Sequence, residues 1–568
     1  MRYSQLFGKS IRAVSRDVQS KGHEYLLRGG FLRESSAGRF YLLPLGIRVQ
    51  EQICKVIEEE MNAAGAQKML TPVLHPRELW EETKRTESVS FELMQVKDRN
   101  QRSFVLGGTA EEMVVALVRQ FAISAHDLPF CIYQFSTKFR DELRARGGML
   151  RAREFLMKDG YSFHANAEEF QLFYQKMLET YSRIFERLGL NARSVAADNG
   201  YMGGEYCHEF IVDHQLGESY YLVSEDGTYS AHQDIATFER LLMNPDEALL
   251  DTKIVEAPRG TSIQAGIDLY GQPAWRQIKS ILYYTDLDEP VLASLRGDLE
   301  INELKLQHIL KCNQLRLATE DEVRALGSVV GFVSPLKIKV KKVGDISLTT
   351  VRNFYTGADQ AKKDTLNVNY GRDFEVDILG DIAMAKEGHL SCDSRSVLHE
   401  RRGIEVGNIF QLGTWYSEKM HDAEFTGHDG AKHPYYMGCY GIGIGRTLAT
   451  IAESFHDENG LRWPLSTSPF SIHLVSLGKD SETTAYAESV YEELCQAKVS
   501  VLYDDRDVSA GIKFSDADLV GISQRLIVSR RLREGRKVEF LSRTTDEKTE
   551  IERDTLLTGM TNLLKSKE

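Results

Sequence analysis

Five arginines, Arg140, Arg144, Arg146, Arg151 and Arg153, crowd into the stretch FRDELRARGGMLRAREF (139–155) of a chain whose net charge is -13. Guanidinium groups stay charged and present planar forks of donors that match phosphate oxygens. Two glycines, Gly147 and Gly148, divide the stretch into a strand, a loop and a second strand. Side chains alternate across a strand, so Arg140 and Glu142 share one face, and Arg151, Arg153 and Phe155 share another. An antiparallel pairing would bring these faces together around one ligand. Arginines for phosphates, Phe155 as a flat surface for a base, and Glu142 as acceptor for an exocyclic amine describe an ATP site on an antiparallel sheet. The plain alternative is a solvated, charged hairpin.

A second cluster lies far downstream in MGCYGIGIGR. Gly441, Gly443 and Gly445 alternate with Ile442 and Ile444, which leaves one strand face without side chains for a ligand to lie on. Arg446 then opens a helix, TLATIAESFH. Close packing of strand on helix would explain the glycines equally well; the arginine at the helix start favours a ligand. A third group, Thr109, Glu111 and Glu112, starts the helix AEEMVVALVRQFA. Thr109 and Glu112 have capping-box spacing, and Glu111 suits the positive helix start. That account does not require Glu111 in particular.

The elements that must position these groups show in the periodicity. Apolar residues recur at helical spacing over 45–61 (Ile47, Ile53, Val56, Ile57, Met61), and Gly65 ends the pattern. KMLTPVL (68–74) reads as a strand, with Pro72 favouring an edge or a bulge. FCIYQFSTKFRDE alternates strongly: Cys131, Tyr133, Phe135, Thr137 and Phe139 on a largely apolar face, Ile132, Gln134, Ser136, Lys138, Arg140 and Glu142 on a largely polar one. A long helix is expected near 167–188. Between about 224 and 400 the texture shifts to short mixed elements with Gly/Asp turns. WPLSTSPF is a turn-rich linker, and beyond it a βαβαβ order implies a small α/β domain.

Composition sets the frame. The 568 residues suggest about three or four domains. A hydrophobic share of 42% and a charged share of 27% are ordinary for a globular protein. The first residues, MRYSQLFGKSIRAVSRDVQSKG, contain no apolar core of signal-peptide length. No window approaches the roughly 20 apolar residues of a membrane span, so no membrane partner is expected. The seven cysteines are scattered without a CxxC pair, which supports neither a disulfide framework nor a zinc site and points to a reducing cytoplasm. The acidic balance argues against non-specific coating of nucleic acid, but a local basic patch would allow a nucleic-acid partner.

With these motifs in view, the chain resembles the class II aminoacyl-tRNA synthetases. FRDE, a loop and Arg151 to Phe155 look like motif 2; GIGIGR looks like motif 3; the helix from Leu45 with the Pro72 strand looks like motif 1. Within the class it is most similar to the bacterial prolyl-tRNA synthetases, through FVLGGTAEE, TKFRDE, REFLMKDGYSFH, RGIEVGNIFQLGT and MGCYGIGIGR, in that order along essentially the whole chain. The resemblance implies a multidomain α+β and α/β protein. Residues 1–223 and 401–466 would form an antiparallel-sheet catalytic core, 224–400 an inserted editing-like α/β domain, and 467–568 a C-terminal α/β anticodon-binding domain. The implied function is proline–tRNA(Pro) ligation through prolyl-adenylate, with ATP and magnesium and without zinc. The partners would be proline, tRNA(Pro) and, through motif 1, a second copy in a homodimer. Another class II ligase, or a non-catalytic synthetase-like tRNA-binding regulator, stays open as an alternative, although the latter would be expected to carry damaged motifs.

The resemblance also implies roles. Arg140 would bind the α-phosphate and the substrate carboxylate, Glu142 the adenine amine, and Phe155 would stack on adenine. Arg151 and Arg446 would hold the γ-phosphate, with Gln411 and Thr414 as further ATP or substrate contacts and Glu405 as magnesium ligand. Arg140, Glu142 and Arg446 would carry the catalysis. The 144–149 loop would close over ATP and later meet the acceptor end of tRNA. Thr109 and Glu111 would bind the secondary amine of proline; Phe163, His164 and Cys439 would line its pocket. In the insertion, Lys279 matches the editing pattern, but Asn353 and Asp364 stand where that pattern has aspartate and histidine. Asparagine lacks the charge, and a carboxylate cannot do imidazole work, so clearing of alanyl-tRNA(Pro) is expected to be weak or absent. Asn408 likewise replaces a histidine of the family. In the tail, Lys513, Arg506 and Arg525 are the expected RNA contacts. Arg153 receives no role.

Overall fold

The computed structural model describes all residues except 16, 17, 19, 88–92, 479 and 566–568. The chain folds into two compact units: one of residues 1–194, 199–219 and 403–568, the other of residues 195–198 and 220–402.

The first unit is organised by antiparallel pairing. Phe130–Phe139 pairs with Glu154–His164, which pairs with Tyr436–Gly443. That strand pairs with Leu398–Gly413, which in turn pairs with Tyr206–Asp213. The amphipathic helix Ala167–Arg187 buries Phe170, Tyr174, Met177, Tyr181 and Ile184 beneath the sheet, and Asn166 caps its start by accepting from Glu169 N–H at 2.9 Å. The motif-1-like helix spans Pro44–Ala63, with proline in its first turn. Its buried stripe runs through Leu45, Val49, Ile53, Val56, Ile57 and Met61. Ile47 lies off that stripe and is exposed, contrary to the periodicity reading.

The expected strand over 68–74 is interrupted. Gln67–Lys68 pairs in parallel with Ile132 and Tyr133, and Leu74–Pro76 joins a separate small sheet. Pro72 offers no N–H between them, and the Thr71 N–H donates instead to the Gln134 side chain at 2.8 Å. The polar face of Phe130–Phe139 also departs from expectation, because Gln134, Ser136 and Lys138 are buried. Two of them meet Asp159 on the neighbouring strand: Lys138 Nζ at 3.0 Å and Gln134 Nε2 at 2.8 Å. The alternation therefore separates an apolar core from a buried polar floor, not core from solvent.

The tail continues the βαβαβ order with two further strands. Val501–Asp504, Ile472–Ser476 and Gln524–Val528 are parallel, and Lys537–Ser542 and Lys548–Glu552 extend the sheet antiparallel. Helices Ser481–Gln496 and Ala510–Val520 cross between the parallel strands. The second unit contains a five-stranded sheet ordered Leu315–Leu317, Ile278–Thr285, Pro290–Arg296, Lys341–Asp345, Ile378–Gly380. Beside it is a three-stranded sheet of Lys253–Glu256, Lys363–Val368 and Phe354–Gly357. Among the described residues, no helix is long and apolar enough to cross a membrane.

Candidate active site

The register sets which side chains can meet. Tyr161 stands opposite both Cys439 and Ile132, and Phe163 opposite Met437 and Phe130, on one face of the sheet. Phe163 is fully buried there, stacked on Phe130 at 4.9 Å and edge-on to Tyr435 at 5.4 Å. Above this face sits the start of helix Glu111–Val118. Cys439 Sγ donates to Glu111 Oε1 at 3.0 Å, Thr109 Oγ1 donates to Glu111 Oε2 at 2.6 Å, and Ala110 N–H donates to the Tyr161 hydroxyl at 3.0 Å. Burial first, and Glu111 second, push the Cys439 thiol well above its ordinary pKa, so it stays protonated as the donor. Thr109, Glu111 and Cys439 thus meet in one buried cluster, over the sheet face that also carries Phe163.

The capping-box reading does not survive. The helix begins at Glu111 with Ala110 as N-cap and no side-chain cap, so Thr109 lies one residue too early and its hydroxyl is committed to Glu111. Glu112 receives Arg85 at 2.9 Å and the Thr83 hydroxyl at 3.0 Å. Arg85, Tyr161 and Asp159 were not singled out in the sequence. Tyr161 and Asp159 stand in the same strand alternation as Phe163, which was the available signal. Arg85 gave none.

Two expected residues fall on the other face. His164 is the neighbour of Phe163 and points away from it: Nε2 meets Ser162 Oγ at 2.9 Å, and its ring packs on Phe170 and Phe173. Burial lowers its pKa to about 4, leaving a neutral ring within the helix-packed layer. Gln411 pairs with Gly438 and Tyr206, whose side faces Phe170 and Tyr174. The register puts Gln411 on that same layer, where its Oε1 lacks a hydrogen-bond partner. Thr414 precedes the short helix Trp415–Lys419 and donates to Glu418 at 2.7 Å.

The arginine cluster separates by partner. Arg140 stands over the Phe155 ring at 5.4 Å, with its Nε directed at the Gly108 carbonyl at 3.4 Å. Arg151 reaches Glu142 at 2.8 Å and Glu218 at 2.9 Å. Arg146, on the loop, meets the other oxygen of Glu218 at 2.5 Å. Arg446 donates to the Leu150 carbonyl at 2.8 Å and to Glu405 Oε2 at 2.9 Å. A Cβ on Gly445 would come within 2.9 Å of the terminal methyl of Met149, a contact that the flexible methionine side chain can relieve. Arg146, Arg151 and Arg446 are thus each held by a carboxylate, and Arg140 by a ring and a carbonyl. Arg153 stands apart from them. Its guanidinium donates to the carbonyls of Glu142, Leu143 and Ala37 at 2.8, 3.3 and 3.1 Å, and its N–H to Gly38 at 2.8 Å. It ties the root of the loop to the turn of the hairpin Leu32–Ser36 and Arg39–Leu42. Asn408 stands opposite Gly441, its Oδ1 without a hydrogen-bond partner.

In the second unit, Asp364 is fully buried and its two oxygens accept from Arg259 Nε at 2.7 Å and Nη2 at 2.6 Å; Tyr270 adds a hydrogen bond at 3.1 Å. Asn353 holds a left-handed backbone, φ 59°, which asparagine tolerates. Its amide donates to Glu247 and Ala248, each at 2.8 Å, and its carbonyl oxygen accepts from Leu250 at 3.0 Å. Lys279 donates to the Leu299 carbonyl at 2.5 Å, and burial lowers its pKa.

Of the expected RNA contacts of the tail, Lys513 and Arg525 are buried and Arg506 is half-buried. Lys513 is buried and donates to the Ser476 and Asp504 carbonyls at 2.7 and 3.1 Å. Arg506 grips Asp504 and Asp516 at 2.7 and 2.8 Å, and buried Arg525 pairs with Asp518 at 2.7 Å. Their charge is consumed in joining helix Ala510–Val520 to the sheet.

Comparison with known proteins accords with this geometry. Residues 94–455 match the tRNA synthetase class II core domain (G, H, P, S and T), and residues 471–563 match the anticodon binding domain family. The chain is 41% identical over 560 residues to a proline–tRNA ligase of Halalkalibacterium halodurans, covering 98% of each chain. It is 42% identical over 571 residues to that of Geobacillus kaustophilus, covering 100% of both. A solved prolyl-tRNA synthetase from Cryptosporidium parvum, complexed with halofuginone and AMPPNP, shares the fold with a TM-score of 0.57 at 14% identity. That alignment covers 96% of this chain and 77% of the other.

Proposed function

Because the chain belongs to the proline–tRNA ligase family of the class II tRNA synthetases, we propose that it activates proline with ATP and transfers the prolyl group to tRNA(Pro). The proline carboxylate attacks the α-phosphate, a prolyl-adenylate forms and pyrophosphate leaves; the 3′ end of tRNA then takes the prolyl group. The observation that carries this reading is the meeting of Thr109, Glu111 and Cys439 beside Arg140 over Phe155. Glu111 offers a carboxyl group to a secondary ammonium inside an aromatic and apolar pocket, and Arg140 faces the edge where carboxylate and phosphate would meet. Such a transfer is catalysed by positioning and by stabilising charge on phosphate. Arg140 supplies that charge at the reacting phosphorus, and Arg151 and Arg446 hold the distal phosphates once these displace Glu218 and Glu405.

Glu405, a hard oxygen donor beside Arg446, would be the carboxylate ligand of magnesium, and the ion would supply neutralisation of phosphate charge there; among the described residues no group of three or more acidic, histidine or cysteine side chains forms a ready metal centre. The insertion is read as an editing-type domain without alanyl-tRNA(Pro) clearance, supported by the closed hydrogen-bonding of Asp364 and Asn353. A homodimer through the helix Pro44–Ala63 and a cytoplasmic setting complete the reading. Amino-acid-dependent ATP–pyrophosphate exchange across an amino-acid panel tests it. Exchange with proline is expected; exchange with none would refute the enzyme, and exchange with another amino acid but not proline would refute the specificity.

A further inference from the structure

Behind the amino-acid pocket lies an unbalanced group of charges. Glu111 and Glu112 are both fully inaccessible to solvent, and one guanidinium, that of Arg85, touches both, at 3.4 and 2.9 Å. Arg85 is itself 5% exposed and packs between the rings of Trp80 and Tyr416, at 5.0 and 5.7 Å. The two carboxyl groups differ in their hydrogen bonds. Both oxygens of Glu111 accept, from Cys439 and Thr109. At Glu112, Oε1 accepts from Thr83 and Arg85, but the buried Oε2 has no hydrogen-bond partner. A bare carboxylate oxygen away from water costs far more than a bare hydroxyl. Around the pair, Tyr416, Tyr161 and the Cys439 thiol are held in their protonated, uncharged forms by burial. Asp159, which accepts from Tyr161, is already paired with Lys138, and His75 beside Trp80 is held neutral, its pKa lowered to about 3 by burial. Arg140 directs its Nε at the Gly108 carbonyl, so the positive charge that touches the two carboxyl groups is that of Arg85.

We propose that Glu112 and Arg85 balance charge behind the pocket, with Glu112 protonated when the pocket is empty and ionised when the secondary ammonium of proline docks on Glu111. The step is a proton exchange: the O–H bond at Glu112 Oε2 breaks, its electron pair stays on the carboxylate, and the proton passes to solvent as the ammonium brings in an equal charge. The inference rests on the reading of Glu111 as the ammonium site. Its physical support is twofold. Burial, partly opposed by Arg85 and reinforced by Glu111, raises the Glu112 pKa. The helix start at Glu111, which favours negative charge, keeps the ionised form within reach once a cation arrives. Arg85 and Glu112 are positioning residues here, since neither is assigned a contact with substrate.

The test uses the full-length protein and proline itself. Calorimetric titration in two buffers of different ionisation enthalpy counts the protons released per proline bound, from mildly acidic to neutral pH. Proline keeps both its ammonium and its carboxylate charged throughout this range, so a released proton comes from the protein. Proton release is expected on the acid side, with the KM for proline in pyrophosphate exchange rising by up to about tenfold per pH unit as pH falls, while the KM for ATP does not follow it. Glu112→Gln should weaken proline binding, abolish the proton release and flatten the profile, at unchanged KM for ATP. Proline binding without proton release across the range, in the wild-type protein, overturns the inference whatever the variant does. Absence of any proline binding would instead overturn the reading of the pocket.

Discussion

The Asp364 pair offers the sharpest test of the insertion. Asp364→Ala removes the carboxylate that holds Arg259, whose side chain is 1% exposed in a site where Asp364 is 0% exposed. The guanidinium keeps the Gly260 and Gly331 carbonyls, at 2.9 and 3.2 Å, and its place over the Phe332 ring at 4.4 Å. None of these neutralises its charge. Stranding one partner of a buried ion pair costs about 3–5 kcal/mol. At about 1.4 kcal/mol per tenfold, the backbone amides of Lys363–Val368 should exchange hydrogen about a hundred- to a few thousandfold faster. Mass-resolved exchange on the full chain reads that strand directly. The double variant Arg259→Met, Asp364→Leu should recover most of the protection, because apolar replacement removes both desolvation costs. Proline activation should be unchanged in both, and neither the wild type nor the variants should hydrolyse alanyl-tRNA(Pro). Unchanged exchange in the single variant would show that Arg259 is not committed to Asp364. Robust hydrolysis by the wild type would show that this closed pair does not exclude clearance.

Glu218→Gln should lower the KM for ATP by up to about fivefold and leave the KM for proline alone; the pair is screened and worth at most about 1 kcal/mol, because Arg151 and Glu218 are 38% and 44% exposed. A higher KM for ATP would mean that Glu218 assists the nucleotide instead of competing with it. His473, fully buried with both ring nitrogens unpartnered, has its pKa lowered from 6.5 to about 3 by burial and then by Arg525. Its unfolded form therefore takes the proton first, and it should withdraw about 1.4 kcal/mol of stability per pH unit as pH falls from 6.5 toward 3. His473→Phe should flatten that part of the acid-unfolding profile. Arg506→Ala should destabilise the tail by about 3 kcal/mol by orphaning buried Asp504, lowering the midpoint of thermal unfolding. A normal midpoint with a selectively raised KM for tRNA would return Arg506 to RNA binding.

Much of the site was legible because strand alternation and motif spacing are local. Arg140 and Phe155 follow from periodicity in neighbouring residues, and Arg140 stands over the Phe155 ring; of the glycine alternation, Gly441 and Gly443 lie on the strand, but Ile444 and Gly445 belong to the helix Ile444–Ser454, which opens two residues before Arg446. The misplacements have local causes too. His164 sits one step along the strand from Phe163, and a period of two sends it to the other layer. Thr109 fits a capping box only if the helix starts one residue earlier than it does. What was illegible depends on distant partners. Nothing near Arg85 announces that Glu111 and Glu112 will face it, and nothing in the tail announces that Lys513, Arg506 and Arg525 will turn inward. Arg153 was puzzling for the same reason, since the carbonyls that explain it include Ala37, 116 residues away in sequence.

One interaction type, arginine with carboxylate, recurs with three consequences that exposure and charge count separate. Arg259 and Asp364 are enclosed and balanced one to one, so the pair has nothing to gain from a ligand and serves the fold. Arg151 with Glu218, and Arg446 with Glu405, are balanced but about a third exposed or more. Their carboxylates can return to water at small cost, so phosphates can replace them while the arginines remain aimed. Arg85 with Glu111 and Glu112 is enclosed but unbalanced. Water cannot correct that imbalance; a proton or a cationic substrate can. On the proposed reading, charge count, more than the presence of any single residue, is what would make this buried group a receptor for an ammonium.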